Sequence, residues 1–197
     1  MVTFYIVRHG ETLFNQKHLM QGWCDSPLTK QAEDKAKALG KKLQDIKFEG
    51  VYASCSERAW RTAQYIINEN KHPSDVVPRE ELKEINFGIM EGENEYVGRI
   101  ARQQHHFEYG WVEEGGEDID MVRKRVYRVL KEIAEKHQEG NILIVTHGVV
   151  MMSLLDDLMP GYMEAQGPGF HIENLAVMEI NHDIDQFKVV KVNGGAV

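Results

Sequence analysis

The chain alternates between short apolar runs and longer stretches with helical spacing. Val2 to Val7 is nearly continuous in apolar residues and predicts a buried strand. Ala32, Ala36, Leu39, Leu43 and Ile46 follow at intervals of 4, 3, 4 and 3, an amphipathic helix over Thr29 to Ile46. Val51 to Ser54 predicts a second short strand. Ser56 to Asn70 predicts a helix with Ala59, Ala63, Ile66 and Ile67 on one side. "HPSDVVPRE" reads as a loop with a short extended piece. The middle, Glu91 to Gly116, is polar and punctuated by glycine, with a helical stretch expected over Glu95 to Phe107. Helical spacing returns at Ile119, Val122, Val126, Val129, Leu130 and Ile133. Asn141 to Thr146 is another buried strand, and Val149 to Leu158, apolar nearly all round, a buried helix. Leu175 to Ile180 and Phe187 to Val192 alternate like two strands joined by "NHDIDQ".

Strands alternating with helices predict an α/β fold, a three-layer α/β/α sandwich around a mainly parallel sheet. Without repeat, linker or low-complexity tract, residues 1–197 are expected to form a single domain. Ligands of such sheets bind beyond the carboxyl ends of the strands. Three of those ends carry chemistry. The first strand stops on Arg8-His9-Gly10. The second stops at Ser54, with Arg58 entering the next helix. A third stops on Thr146-His147-Gly148. Taken alone, each arginine is a rim charge and each histidine a hydrogen-bonded structural residue. The recurrence of His-Gly after a buried strand, with arginine as companion twice, shifts the balance. Side by side, these ends would form an oxyanion site suited to phosphate, with helix N-termini adding amide donors.

Charge narrows the partners. The 197 residues hold 23 Lys and Arg against 31 Asp and Glu, a net charge of −8. Nucleic acid and anionic membranes need basic surface, so neither is expected as a partner. A few local arginines still suffice for a small anion, because distant charge is screened. The two cysteines, Cys24 and Cys55, have neither metal-ligand nor disulfide-framework spacing, which fits a reducing cytoplasm. No signal-peptide pattern or membrane-length apolar run is present, and a soluble cytoplasmic protein is expected. No position speaks to oligomeric state.

Ordered motifs between residues 8 and 148 resemble the histidine phosphatase superfamily, also called the phosphoglycerate mutase-like family. "RHGET" at Arg8 to Thr12 looks like its signature. "QGWCDSPLT", "SCSERAWRTA", "LKEINFGIMEG" and "THG" are similar to its later blocks, in order. Ala32, Cys55 and Met90 depart from the family's usual glycine, proline and tryptophan, a matter of packing rather than of the phosphate site. The resemblance implies that His9 is the nucleophile and Glu84 the acid, with His147, Arg8 and Arg58 completing the catalytic set. It implies phosphate binding by Arg8, Asn15, Arg58 and His147, and places Gln21 and Gly22 against the substrate.

These side chains support transfer of a phosphoryl group to a neutral His9 nitrogen, with Glu84 protonating the leaving oxygen and later activating water. Arg8 and Arg58 offer planar charged forks for phosphate oxygens. No metal or other cofactor is needed, since the arginines take the role magnesium has elsewhere. The remaining histidines read as structural or solvated; adjacent His105 and His106 diverge by about 100° on a helix and cannot easily share an ion. The expected activity is a metal-independent phosphatase acting on a small phosphorylated metabolite.

A phosphoglycerate mutase is the first alternative. Mutases of the family follow the acid with arginine and histidine, whereas Ile85 and Asn86 stand here, and they carry a longer arginine-rich insertion. Only Arg79, Arg99 and Arg102 are available to steady a second phosphate. A phosphoryl-binding module without turnover is the second, disfavoured because a binder needs neither nucleophile nor acid. Met20, Trp23, Met90, Phe107 and Trp111 divide evenly between pocket mouth and core as expectations.

Overall fold

The N-terminal apolar run becomes β1 (Val2–Arg8), the central strand of a seven-stranded sheet in a computed structural model. The structure describes residues 1–98, 110–167, 170–184, 186–192 and 195–196. In chain order the further elements begin with α1 (Leu13–Gln16), α2 (Lys30–Lys42), β2 (Phe48–Ser54), α3 (Glu57–Ile67) and β3 (Val76–Arg79). Next come two 3-10 turns (Glu80–Leu82 and Gly88–Met90), α4 (Ile119–His137), β4 (Gly140–Thr146) and α5 (Gly148–Leu158). The chain closes with α6 (Tyr162–Ala165), β5 (Val177–Asp183), β6 (Gln186–Val192) and β7 (Gly195–Ala196). Residues 95–98 are helical; the rest of the helix expected to Phe107 lies outside the described residues.

The strand order is β3-β2-β4-β1-β5-β6-β7. The first four are mutually parallel, β5 runs antiparallel to β1, and β6 and β7 continue antiparallel. Five strands, β1 to β4 and β6, therefore point one way, and the fold is the expected α/β sandwich around a mainly parallel sheet. β1, β2 and β4 are covered on both faces, which explains their near-continuous apolar runs. One face packs Val7, Val51, Ala53, Leu143 and Val145 against Ala36, Ala59, Ala63, Ile66 and Ile67 of α2 and α3. The other packs Phe4, Ile6, Ile142 and Ile144 against Val122, Val126, Leu130 and Ile133 of α4 and Val150, Met151 and Leu154 of α5. Each of the Val, Leu, Ile, Phe and Met side chains among them stabilises by about 1.5–3 kcal/mol on burial, which fixes the strand ends relative to one another.

Several boundaries differ from the sequence pattern: β2 starts at Phe48 rather than Val51, α3 ends at Ile67 rather than Asn70, and β5 runs on to Asp183 rather than Ile180. α2 stops at Lys42 rather than Ile46, because the chain must turn back into β2. Asn70 staples that turn, donating to the carbonyls of Leu43 at 2.9 Å and Ile46 at 3.0 Å. β5 begins at Val177 rather than Leu175, since Leu175 takes a left-handed backbone (φ 62°) and bonds elsewhere.

Candidate active site

β1 and β4 pair in parallel with Arg8 opposite Thr146, so His9 and His147 emerge together at neighbouring carboxyl ends. The His9 N–H donates to the Thr146 carbonyl at 2.9 Å. The two rings lie edge to face, with centroids 5.2 Å apart. His9 Nδ1 is 2.7 Å from the Gly10 carbonyl, which can only accept. The ring proton therefore sits on Nδ1, and the Nε2 lone pair is left free. Burial, then the charges of Arg58 and Arg8, hold the His9 pKa well below its ordinary value. His147 is held low in the same way, first by burial and then by Arg58 and His9. Burial and the neighbouring arginines thus favour the neutral form of both rings.

Arg58 sits in the first turn of α3, 1% exposed. Its Nη1 donates to the Cys24 carbonyl and to Asp25 Oδ1, both at 2.9 Å. Its Nη2 donates to the carbonyls of Gly22 at 2.7 Å and Gln21 at 3.4 Å. The outer fork expected to grip phosphate thus grips the 21–25 loop instead, and only Nε remains without a partner. Asp25 also accepts the Glu57 N–H at the start of α3, tying the loop to the helix that carries Arg58. Arg8 donates through Nη1 to the Ile172 carbonyl, and its Nε is likewise unpartnered. A Cβ at position 148 would approach Arg8 Nε to 3.2 Å, so Gly148 leaves room for the guanidinium beside His147.

Glu84 reaches the same place from the turn after β3. Its carboxylate accepts from the backbone N–H groups of Val149 and Ile85 at 3.0 Å and Val150 at 3.3 Å, capping the N-terminus of α5. These amides and the two arginines favour the ionised form, but burial outweighs them and raises the Glu84 pKa above its ordinary value. The turn is held from behind. Thr146 Oγ1 donates to the Leu82 carbonyl at 2.7 Å. Arg125 of α4 donates to the carbonyls of Glu81, Lys83 and Glu84 at 2.6–2.9 Å.

The remaining expected residues are close by. Asn15 closes a capping box with Thr12 at the start of α1: Thr12 N–H donates to Asn15 Oδ1 at 3.1 Å. Gln21 accepts from Thr12 Oγ1 at 2.7 Å, while its buried Nε2 has no partner. Gly22 has a structural reason to be glycine, as a Cβ there would lie 2.3 Å from the Ile85 carbonyl. Among the described residues, the buried side-chain polar atoms without a partner are Arg8 Nε, Arg58 Nε, Gln21 Nε2, both His147 nitrogens and His182 Nε2. All but the last belong to this site. Each such orphan costs about 1–3 kcal/mol unless a ligand or water satisfies it, so their clustering makes this place a candidate anion site.

Several contributors escaped the sequence reading. Glu91 accepts from the N–H groups of Trp23, Cys24 and Phe87, bonding the loop that holds Arg58 to the one that carries Glu84. Asp25, Arg125 and Asn174 act through backbone groups far away in sequence, a role that no local motif announces. Of the expected mouth residues, Met20 and Trp111 are core, Met90 is partly buried against it, and Trp23 is 45% exposed. Trp23 Nε1 donates to the Glu84 carbonyl and Lys83 Nζ lies 4.3 Å above its ring. Phe107, His105 and His106 lie outside the described residues. His137 pairs with the Tyr52 hydroxyl at 2.8 Å and His182 stacks on Phe187, structural roles both. Among the described residues, no group of three His, Cys, Asp and Glu side chains is placed to hold a metal ion. No described helix is long and apolar enough to cross a membrane.

A sheet of this order, with two strand-end histidines, one buried and one partly buried arginine and a carboxyl at a helix N-terminus, defines a phosphoryl-transfer scaffold. The family model of the histidine phosphatase superfamily (branch 1) matches residues 4–194, and the chain belongs to that superfamily. It is 32% identical over 171 residues to a 2,3-bisphosphoglycerate-dependent phosphoglycerate mutase of Brucella ovis, covering 80% of this chain and 83% of that one. It is 34% identical over 145 residues to fructose-2,6-bisphosphatase TIGAR B of Danio rerio, covering 71% of this chain but only 56% of that relative. Among solved structures, Bacillus stearothermophilus YhfR superposes with a TM-score of 0.84 at 30% identity, covering 100% and 98% of the two chains. A phosphoglycerate mutase from Bacillus anthracis gives 0.82 at 29%, covering 98% and 93%. Relatives named for phosphatase and for mutase activity both match this chain.

Proposed function

We propose that this protein is a metal-independent phosphatase that hydrolyses a small organic phosphomonoester through a phosphohistidine intermediate. The observation that carries this reading is the group of unpartnered buried donors, Arg8 Nε, Arg58 Nε and Gln21 Nε2, with the His147 ring, around a His9 whose Nε2 lone pair is free. His9 Nε2 forms the bond to phosphorus as the ester P–O bond breaks. Glu84, protonated in the substrate complex, gives its proton to the leaving oxygen. Water then attacks the phosphohistidine, Glu84 takes a proton back, and inorganic phosphate leaves as His9 regains its lone pair. The Asn15 amide and His147 add donors to the phosphate, and His147 gains a proton when the dianion arrives.

The two residues after the acid favour hydrolysis over mutase action. Ile85 is 2% exposed in the core, and Asn86 is spent on the turn, its Oδ1 accepting from the Gly88 N–H. Neither presents a cation to a second acidic group. Arg79, one of the candidate cations, is paired with Glu81 and Glu132; Arg99 and Arg102 lie outside the described residues. The test is a panel of phosphorylated metabolites assayed for phosphate release without added metal, beside a 3-phosphoglycerate isomerisation assay primed with bisphosphoglycerate. Phosphate release should exceed isomerisation on every substrate. Faster isomerisation than hydrolysis would establish the mutase reading, and phosphate binding without either would establish the binder.

A further inference from the structure

The back wall of the site is a turn, residues 172–176, that no sequence motif marked. It is bound to the end of β1 along its whole length. Arg8 Nη1 donates to the Ile172 carbonyl, the Leu175 N–H to the Arg8 carbonyl at 3.1 Å, and the Arg8 N–H to the Ala176 carbonyl at 3.1 Å. Leu175 accepts a left-handed backbone (φ 62°) to make this fit. Such a conformation is costly for a branched side chain and persists only where surrounding contacts over-determine it. The residue that this turn delivers is Asn174.

Asn174 Nδ2 lies 2.9 Å from the His9 carbonyl and 3.5 Å from Asn15 Oδ1. The chemistry of the partners settles both amide orientations. Thr12 N–H can only donate, so the Asn15 atom facing it is the carbonyl oxygen. Asn174 then faces two acceptors, the His9 carbonyl and Asn15 Oδ1, and must present its NH2 to both. With its oxygen held by Thr12 and Asn174, Asn15 has its own NH2 turned away from them. We infer that Asn174 is a positioning residue of the phosphate site: it locks the Asn15 amide with its donor toward the anion. This rests on the phosphate-site reading above, and it assigns to Asn174 no contact with substrate.

A double-mutant cycle tests it, with inorganic phosphate as the probe and calorimetry as the readout. Asn174→Leu keeps the branched shape and heavy-atom count and removes the donor; Asn15→Ala removes the group it orients. Circular dichroism and the melting temperature check that each variant is folded. In the presence of Asn15, Asn174→Leu should weaken phosphate binding about 3- to 10-fold, the worth of one hydrogen bond. In the Asn15→Ala background the same change should cost less than about 2-fold. An equal loss in both backgrounds, or no loss in either, overturns the inference while leaving the phosphate site intact. Failure of the wild type itself to bind phosphate would overturn the site reading and the inference with it.

Discussion

The His9 and His147 rings meet edge to face at 5.2 Å because their strands are parallel neighbours in register. Their common burial between Arg8 and Arg58 favours the neutral form of both in the ligand-free protein. A neutral His9 with its proton on Nδ1 keeps a free Nε2 lone pair, the one the proposed mechanism uses as nucleophile.

Replacing His9 by alanine should abolish turnover and leave the fold intact, since its ring contributes little to either core. Rapid quenching with labelled substrate should trap phosphate on the wild type and none on the variant. Label retained by the variant, or wild-type activity lost to a chelator, would sink the phosphohistidine mechanism.

Arg58→Lys should fail to restore function. A lysine has three donors on one nitrogen and cannot reach the Gln21, Gly22 and Cys24 carbonyls and Asp25 while offering a donor to phosphate. The expected drop in kcat is about 10²–10³-fold, as for loss of an oxyanion donor. A lysine variant with near wild-type kcat would show that the guanidinium contacts are dispensable.

Glu84→Gln should separate acid catalysis from binding. An alkyl phosphate leaves as a poor alkoxide and needs the proton, whereas p-nitrophenyl phosphate hardly does. The burst rate should fall about 10²–10⁴-fold more on the alkyl ester than on the aryl ester. Equal losses on both would make Glu84 only the cap of α5 that its bonds to the Val149 and Val150 amides already describe.

Protonation of the two histidines gives a prediction with a definite sign. Both folded-state pKa values are lowered, so below about pH 6.5 the unfolded chain binds more protons than the folded one. Stability should therefore fall as pH drops below about 6.5, and His147→Asn should lessen that fall. Imidazole nitrogen shifts at pH 6 should report neutral rings without ligand, and protonation of His147 once orthophosphate is added. A ring that titrates at 6.5 or above without ligand would contradict the burial argument.

Much of this was legible in the chain itself. Buried parallel strands advertise themselves because both faces are covered, and β1 and β4 read as near-continuous apolar runs. Arg8, His9, Arg58 and His147 were legible because a strand end is a local feature, and the superfamily's motifs lie along the sequence. What tertiary structure alone decided is how those groups are spent. Arg58 turns its fork onto backbone carbonyls of a loop more than thirty residues earlier. Glu84 caps a helix about sixty-five residues later. Glu91, Arg125 and Asn174 hold the site through main-chain atoms, which every residue possesses, so side-chain pattern carries no trace of the pairing. Hydrophobic periodicity records which face of an element is buried; the partner of a single polar atom is set only when distant segments pack.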